Sequence, residues 1–177
     1  MRLATFSRVC EAKGIGDAVA SVIRTNSKLG YNAFALDIYG QVEEGQEDWF
    51  ASLMKGIPSY ISYKGVVPFS SSVPIIKPYY ALLFPTFYPG EGFAGTLIDS
   101  FSSGVPVIAS DWRYNGEIVN DKVGILYPAR DKGALAKILL GLANDPLALL
   151  GLKRNCLEEA KRYRPSEAIK VLIDGLG

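Results

Sequence analysis

Between Ala81 and Ser110 the chain reads A-L-L-F-P-T-F-Y-P-G-E-G-F-A-G-T-L-I-D-S-F-S-S-G-V-P-V-I-A-S, and this stretch restricts the fold more than any other. A short apolar run, Ala81 to Phe84, passes through Pro85 into a glycine-rich turn that carries Glu91. From Gly95 the spacing of Leu97, Ile98 and Phe101 becomes helical until Gly104 ends it, and Val105 to Ala109 then reads as the next strand. A strand, a glycine loop and a helix start leave unpaired backbone N–H groups and the positive helix end pointing out of the loop, where an anion can bind. Glu91 lies in the loop and Asp99 sits about one turn into the helix, so both are expected to face one crevice at the strand ends. An anion site with acids beside it suits a ligand that carries both phosphate and hydroxyls.

The rest of the chain repeats the same alternation. Arg2 to Phe6 opens as a strand. Ile15, Ala18, Val19, Val22 and Ile23 mark an amphipathic helix that ends near Gly30. Phe34 to Tyr39, Ile61 to Tyr63 and Val123 to Tyr127 are further strands, and Glu44 to Met54 is a helix. Ser70 to Ser72, between Pro68 and Pro74, reads as a loop. Leu135, Ile138, Leu139 and Leu142 line one face of a helix; a second is expected from Pro146 to about Tyr163 and a last from Ser166 to Ile173. Strands alternating with helices predict a parallel, doubly wound α/β sheet, Rossmann-like, in the order 3-2-1-4-5-6. Its switch point lies between the first and fourth strands, so the Arg8–Lys13 loop and the Glu91 loop share one edge.

Composition narrows what can bind there. With 177 residues, 49% of them hydrophobic and 21% charged, the chain has the apolar mass for one globular domain over 1–177. A net charge of +1, with no cationic block, makes nucleic acid an unexpected partner. Cys10 and Cys156 are far apart and suggest neither a zinc site nor a disulfide framework, so a reducing, cytoplasmic setting is expected. The chain has no histidine, which removes Ser-His-Asp and Cys-His chemistry and most transition-metal sites. No D-x-D pair is present to clamp a metal-bound diphosphate, so the expected site uses no metal and no cofactor.

The E-G-F-A-G-T-L-I-D segment, followed by S-G-V-P-V-I-A-S, resembles the E-x7-E motif of the retaining glycosyltransferases of GT-B type, family four, with Ala94 at a usual glycine and Asp99 at a usual glutamate. S-R-V-C-E-A-K-G resembles the family's G-R-x4-K-G loop, with Ser7 at its glycine. The resemblance implies a donor-binding lobe for a nucleotide-diphosphate sugar. Arg8 and Lys13 would take the diphosphate, Asp99 the ribose, and Glu91 with Gly92, Phe93, Ala94 and Gly95 the sugar, with Glu91, Arg8 and Lys13 acting in catalysis. The plain alternative for Arg8 and Lys13 is that they are solvated loop cations; their convergence with the Glu91 loop favours the diphosphate. A dinucleotide loop would want a third glycine where Val19 stands.

The resemblance also makes Lys64 to Val67 a candidate base pocket, against a plain strand-end turn. Glu117 competes as a sugar contact with the commoner role of a helix-start acid. The family carries its acceptor site, for a glycan or lipid-linked sugar, on an N-terminal lobe that this chain is expected to lack. The full enzyme would work in glycan or polysaccharide synthesis, with peripheral association at the inner membrane face as one setting. The alternative from another class is a non-catalytic nucleotide-binding regulatory or partner subunit.

Overall fold

A computed structural model describes residues 1–164 together with 166, 167 and 169. Six parallel strands form one sheet: β1 (Arg2–Phe6), β2 (Ala35–Tyr39), β3 (Ile61–Gly65), β4 (Ala81–Phe84), β5 (Val107–Asp111) and β6 (Gly124–Pro128). Their order is β3-β2-β1-β4-β5-β6, as the alternation predicted. Between and after them run α1 (Ile15–Leu29), α2 (Glu47–Met54), α3 (Ser72–Ile76), α4 (Gly95–Ser102), α5 (Asn115–Ile118), α6 (Lys132–Asn144) and α7 (Leu152–Lys161).

The side-chain period of two divides the core between the two faces of the sheet. Leu3, Leu36, Ile38, Leu83 and Ile108 pack with Ile15, Val22, Phe50 and Leu139, from α1, α2 and α6. Ala4, Leu82, Phe84, Val107 and Ala109 point the other way, against Ile76, Leu97, Phe101 and Cys156 from α3, α4 and α7. Every residue of β4 is buried, because that strand is covered on both faces. Helix α1 stops at Gly30, whose φ of 74° lets its N–H return to Asn26 O at 2.9 Å.

Several sequence boundaries shift, and four of the shifts have a clear physical cause. β5 starts two residues later than expected, because Pro106 has no N–H and Val105 N donates instead to Ser100 O. α2 begins at Glu47 and not Glu44, since Gln46 N closes a turn on Glu43 O. Ser70 to Ser72 is helical, a 3₁₀ turn (Phe69–Ser71) running into α3; Pro74 is tolerated there because it falls in the first turn. The helix expected from Pro146 begins only at Leu152, after turns in which Ala148 N reaches Asp145 O and Leu150 N reaches Leu147 O. The final helix expected over Ser166 to Ile173 lies for the most part outside the described residues.

One polar cluster ties the β1, β2 and β3 side together. Asp37 Oδ2 accepts from Arg2 Nη2 (2.6 Å) and from the Tyr79 hydroxyl (2.7 Å), and Lys64 Nζ lies 3.4 Å from Oδ1. Burial alone would push the Asp37 carboxyl up, but the hydrogen bonds from Arg2 and Tyr79 and the Lys64 charge outweigh it and hold it below its ordinary 3.8. A carboxylate held down in the fold contributes stability above its unfolded value and loses it as pH falls through the folded one. The parent chain is therefore expected to lose thermal stability steeply below about pH 4, and Asp37→Asn to flatten that fall. Melting curves between about pH 6 and pH 3 check this; parallel slopes for the two proteins would rule Asp37 out as the acid-sensitive group.

Candidate functional site

Chain paths diverge between β1 and β4, and the two loops that leave these strands are locked together. The β1–α1 loop carries Arg8, passes through a 3₁₀ turn (Glu11–Lys13) and reaches Gly14; the β4–α4 loop runs from Pro85 to Ala94. Phe87 N donates to Ala12 O at 2.8 Å, and Thr96 Oγ1 donates to Phe6 O at 3.0 Å. At Gly14, φ is +72° and a Cβ would stand 2.0 Å from Pro85 O, so the backbones touch there.

On the α3 and α4 side of this junction lies a cleft of about 400 Å³. Its floor and walls include Arg8, Gly95, Thr96 and Asp99, with Val66, Val67 and Phe69 opposite. The first residues of α4 open onto it, and Ala94, the residue before the helix, provides no side-chain cap for their N–H groups. Asp99 is half-buried and accepts from the Ser72 hydroxyl at 2.7 Å. The Val66–Val67 end of the expected base pocket reaches the cleft, while the Lys64 ammonium is turned to Asp37. Phe69, 86% exposed, stands at the rim as an apolar surface with nothing packed over it.

Beside the cleft lies a second cluster. Lys13 Nζ donates to both Glu91 oxygens, at 2.9 and 2.7 Å, and Thr86 Oγ1 donates to Glu91 Oε2 at 2.5 Å. The Lys13 and Glu91 side chains are only 10% and 8% exposed. Under them the Tyr88 ring carries the Lys13 ammonium at 4.9 Å and the Arg8 guanidinium at 5.1 Å from its centroid. Arg8 also donates to Glu43 Oε1 at 2.8 Å, and its Tyr88 and Glu43 contacts hold it firmly cationic. Trp112 Nε1 closes the cluster by donating to Tyr88 O at 2.7 Å.

This arrangement corrects one expectation. Asp99 faces the cleft, but Glu91 does not share that crevice with it; a buried ammonium needs a counter-charge, and Glu91 supplies it to Lys13. Gly92, Phe93 and Gly95 are exposed and Ala94 is buried; the Phe93 ring leans on Tyr163 at 5.6 Å. Glu117 lies exposed in the first turn of α5. Sequence reasoning missed Tyr88, Ser72, Thr86 and Glu43. Tyr88 stands three residues before Glu91 in the same loop motif, which is the one signal for it, whereas Glu43 is 35 positions from Arg8 and has no local signal. Among the described residues, no three carboxylate or cysteine side chains gather as a metal site.

A six-stranded parallel sheet in this order, with a cleft and a helix start at its switch point, is the Rossmann-like architecture of a GT-B lobe. The chain belongs to the family described as glycosyl transferases group 1, whose profile matches residues 2–145. Among relatives it is 29% identical, over 92% of its length, to the GtfA subunit of UDP-N-acetylglucosamine--peptide N-acetylglucosaminyltransferase from Streptococcus gordonii. It spans only 31% of that protein. The pneumococcal O-GlcNAc transferase GtfA, solved in complex with UDP and GlcNAc, superposes with a TM-score of 0.78 at 24% identity, over 98% of this chain and 35% of that one. Anabaena HepE, solved with UDP, gives 0.84 at 17% identity, over 99% and 48%. No helix among the described residues is long and apolar enough to cross a membrane.

Proposed function

We propose that the chain is the donor-binding lobe of a retaining, metal-independent glycosyltransferase that takes a nucleotide-diphosphate sugar and works with an acceptor lobe outside residues 1–177. The observation that carries this reading is the junction of the Asp99 cleft with the Arg8–Lys13–Tyr88 cluster at one switch point. In this reading the base lies along Val66 and Val67, and Asp99 receives the ribose hydroxyls. Arg8 lines the cleft and lies over Tyr88 of the cluster, which supports a role for its guanidinium on the diphosphate. Lys13 uses two of its three N–H donors on Glu91 and keeps the third for a phosphate oxygen. Glu91 has unused lone pairs for a sugar hydroxyl. As the glycosidic bond breaks, the departing diphosphate gains negative charge and the sugar becomes oxocarbenium-like, so fixed cations stabilise the transition state more than the ground state. Two cations at the leaving group do the work that a metal does elsewhere.

The test uses nucleotide binding. UDP, GDP and ADP are titrated with and without EDTA while the Trp112 emission is followed in a Trp49→Phe background. At least one nucleotide is expected to shift it, undiminished by EDTA. Asp99→Ala is expected to weaken the bare nucleotide diphosphate about 10- to 100-fold, and Glu91→Gln to weaken chiefly the sugar-bearing donor. If no nucleotide binds, the donor reading falls; if both variants lose both ligands equally, the division of roles falls.

A further inference from the structure

A second cleft, of about 450 Å³, opens at the same strand ends on the opposite face of the sheet, and the donor reading leaves it unused. Its size lies within the range of small-molecule sites, roughly 300–1,000 Å³. One wall is the half-buried Trp49 ring from α2. Beside that ring is Gly16, the second residue of α1: a Cβ there would sit 3.9 Å from Trp49 Cζ2, so the glycine keeps side-chain bulk out of the space next to the indole. Polar groups of both signs converge on the remaining sides. Asp17, a buried carboxylate, pairs with Lys132 at 3.2 Å, and Glu11 and Arg130 complete the rim. Arg130 is held at φ +63°, a left-handed conformation that non-glycine residues rarely adopt, with its guanidinium 4.9 Å from the centre of the Phe87 ring.

An anion would meet two carboxylates here and a cation would meet two basic groups. A neutral polyol meets neither penalty: its hydroxyls donate to Asp17 and Glu11 and accept from Arg130 and Lys132, and its C–H face lies on the electron-rich indole. The cleft also runs towards the donor cluster. Glu11 and Phe87 line both this cleft and a smaller one of about 230 Å³ whose far wall is Tyr88, the ring beneath Arg8 and Lys13. We propose that this second cleft is a sugar subsite on the donor lobe that holds the far end of a glycan acceptor whose reacting end the acceptor lobe presents, with the track along Phe87 and Tyr88 leading towards the transferred sugar. Its role as an acceptor subsite rests on the donor reading; its occupation by a sugar does not.

The chain contains two tryptophans, Trp49 in the second cleft and Trp112 against Tyr88 of the donor cluster, so 5-fluorotryptophan labelling gives one ¹⁹F signal for each region, assigned with Trp49→Phe. The probes are glucose, mannose, N-acetylglucosamine, maltose and chitobiose, with sulfate as the anion arm and UDP as the donor arm. At least one sugar is expected to shift the Trp49 signal saturably, and sulfate is expected not to. Gly16→Leu, which fills the cleft from a helical position without removing any partner, is expected to weaken that response about tenfold or more. Arg130→Gly, which relieves the left-handed backbone while removing the cation, is expected to weaken it while keeping the melting temperature. A Trp49 signal unmoved by every sugar, moved by sulfate alone, or moved equally in Gly16→Leu overturns the subsite. A Trp112 signal unmoved by UDP while sugar still moves Trp49 removes the donor reading and leaves the sugar site standing.

Discussion

Gly14→Ala is expected to cost about 3–5 kcal/mol and to abolish nucleotide binding with it. Two effects add. The left-handed φ of +72° costs a residue with a Cβ roughly 1 kcal/mol or more. The Cβ would also stand 2.0 Å from Pro85 O and 2.7 Å from Pro85 C, and backbone atoms cannot swing aside as the end of a side chain can. Relief requires parting the β1–α1 loop from the β4–α4 loop, which breaks the Phe87 N to Ala12 O bond and separates Lys13 from Glu91. Gly92→Ala and Gly95→Ala provide the contrast, since neither position has a positive φ or any heavy atom within 4 Å of the added carbon. Both are expected to change stability by less than about 0.5 kcal/mol. Urea unfolding of the three variants decides it, and a Gly14→Ala protein within about 1 kcal/mol of the parent would show that the loops are not locked as described.

The contrast between these glycines shows where sequence reading reaches its limit. The motif glycines Gly92 and Gly95 signalled a loop, while the glycine on which the junction depends, Gly14, matters because of Pro85, a contact made 71 positions away. The order of the six strands was legible because each apolar run is short and the helices between them have clear periodicity; the caps and turns at Pro106, Gln46 and Gly151 were misjudged, as was the short helical stretch at Ser70 to Ser72. The positions of Asp99 and Arg8 at the cleft were legible because each sits in a local motif. The Lys13–Glu91 pair was not, because the same charges that suggest ligand contacts also satisfy each other when buried. The second cleft was least legible of all. Glu11, Asp17, Trp49, Phe87 and Arg130 come from separate segments, and no spacing rule connects them before the chain is folded.

Lys13 is the residue at which fold and proposed function are hardest to separate, and removing its charge is expected to damage both. Lys13→Met keeps much of the aliphatic stem but leaves Glu91, 8% exposed, with Thr86 as its one remaining side-chain donor among the described contacts. Stranding a buried charge in this way costs about 3–5 kcal/mol. Glu91→Gln strands the Lys13 ammonium and is expected to cost a similar amount. In the double variant both charges are gone, so the two losses should not add: a coupling of about 1–3 kcal/mol is expected, with the double variant more stable than the sum of the single ones predicts. Affinity for a nucleotide diphosphate follows a different pattern. It depends on a cation at position 13 and not on the pair, so it should fall about 10- to 100-fold in Lys13→Met and stay low in the double variant although stability returns. Denaturant melts and calorimetric titration on the same four proteins separate the two roles. If affinity recovers together with stability in the double variant, Lys13 serves only to hold the loops, and the diphosphate is left to Arg8 and the first N–H groups of α4.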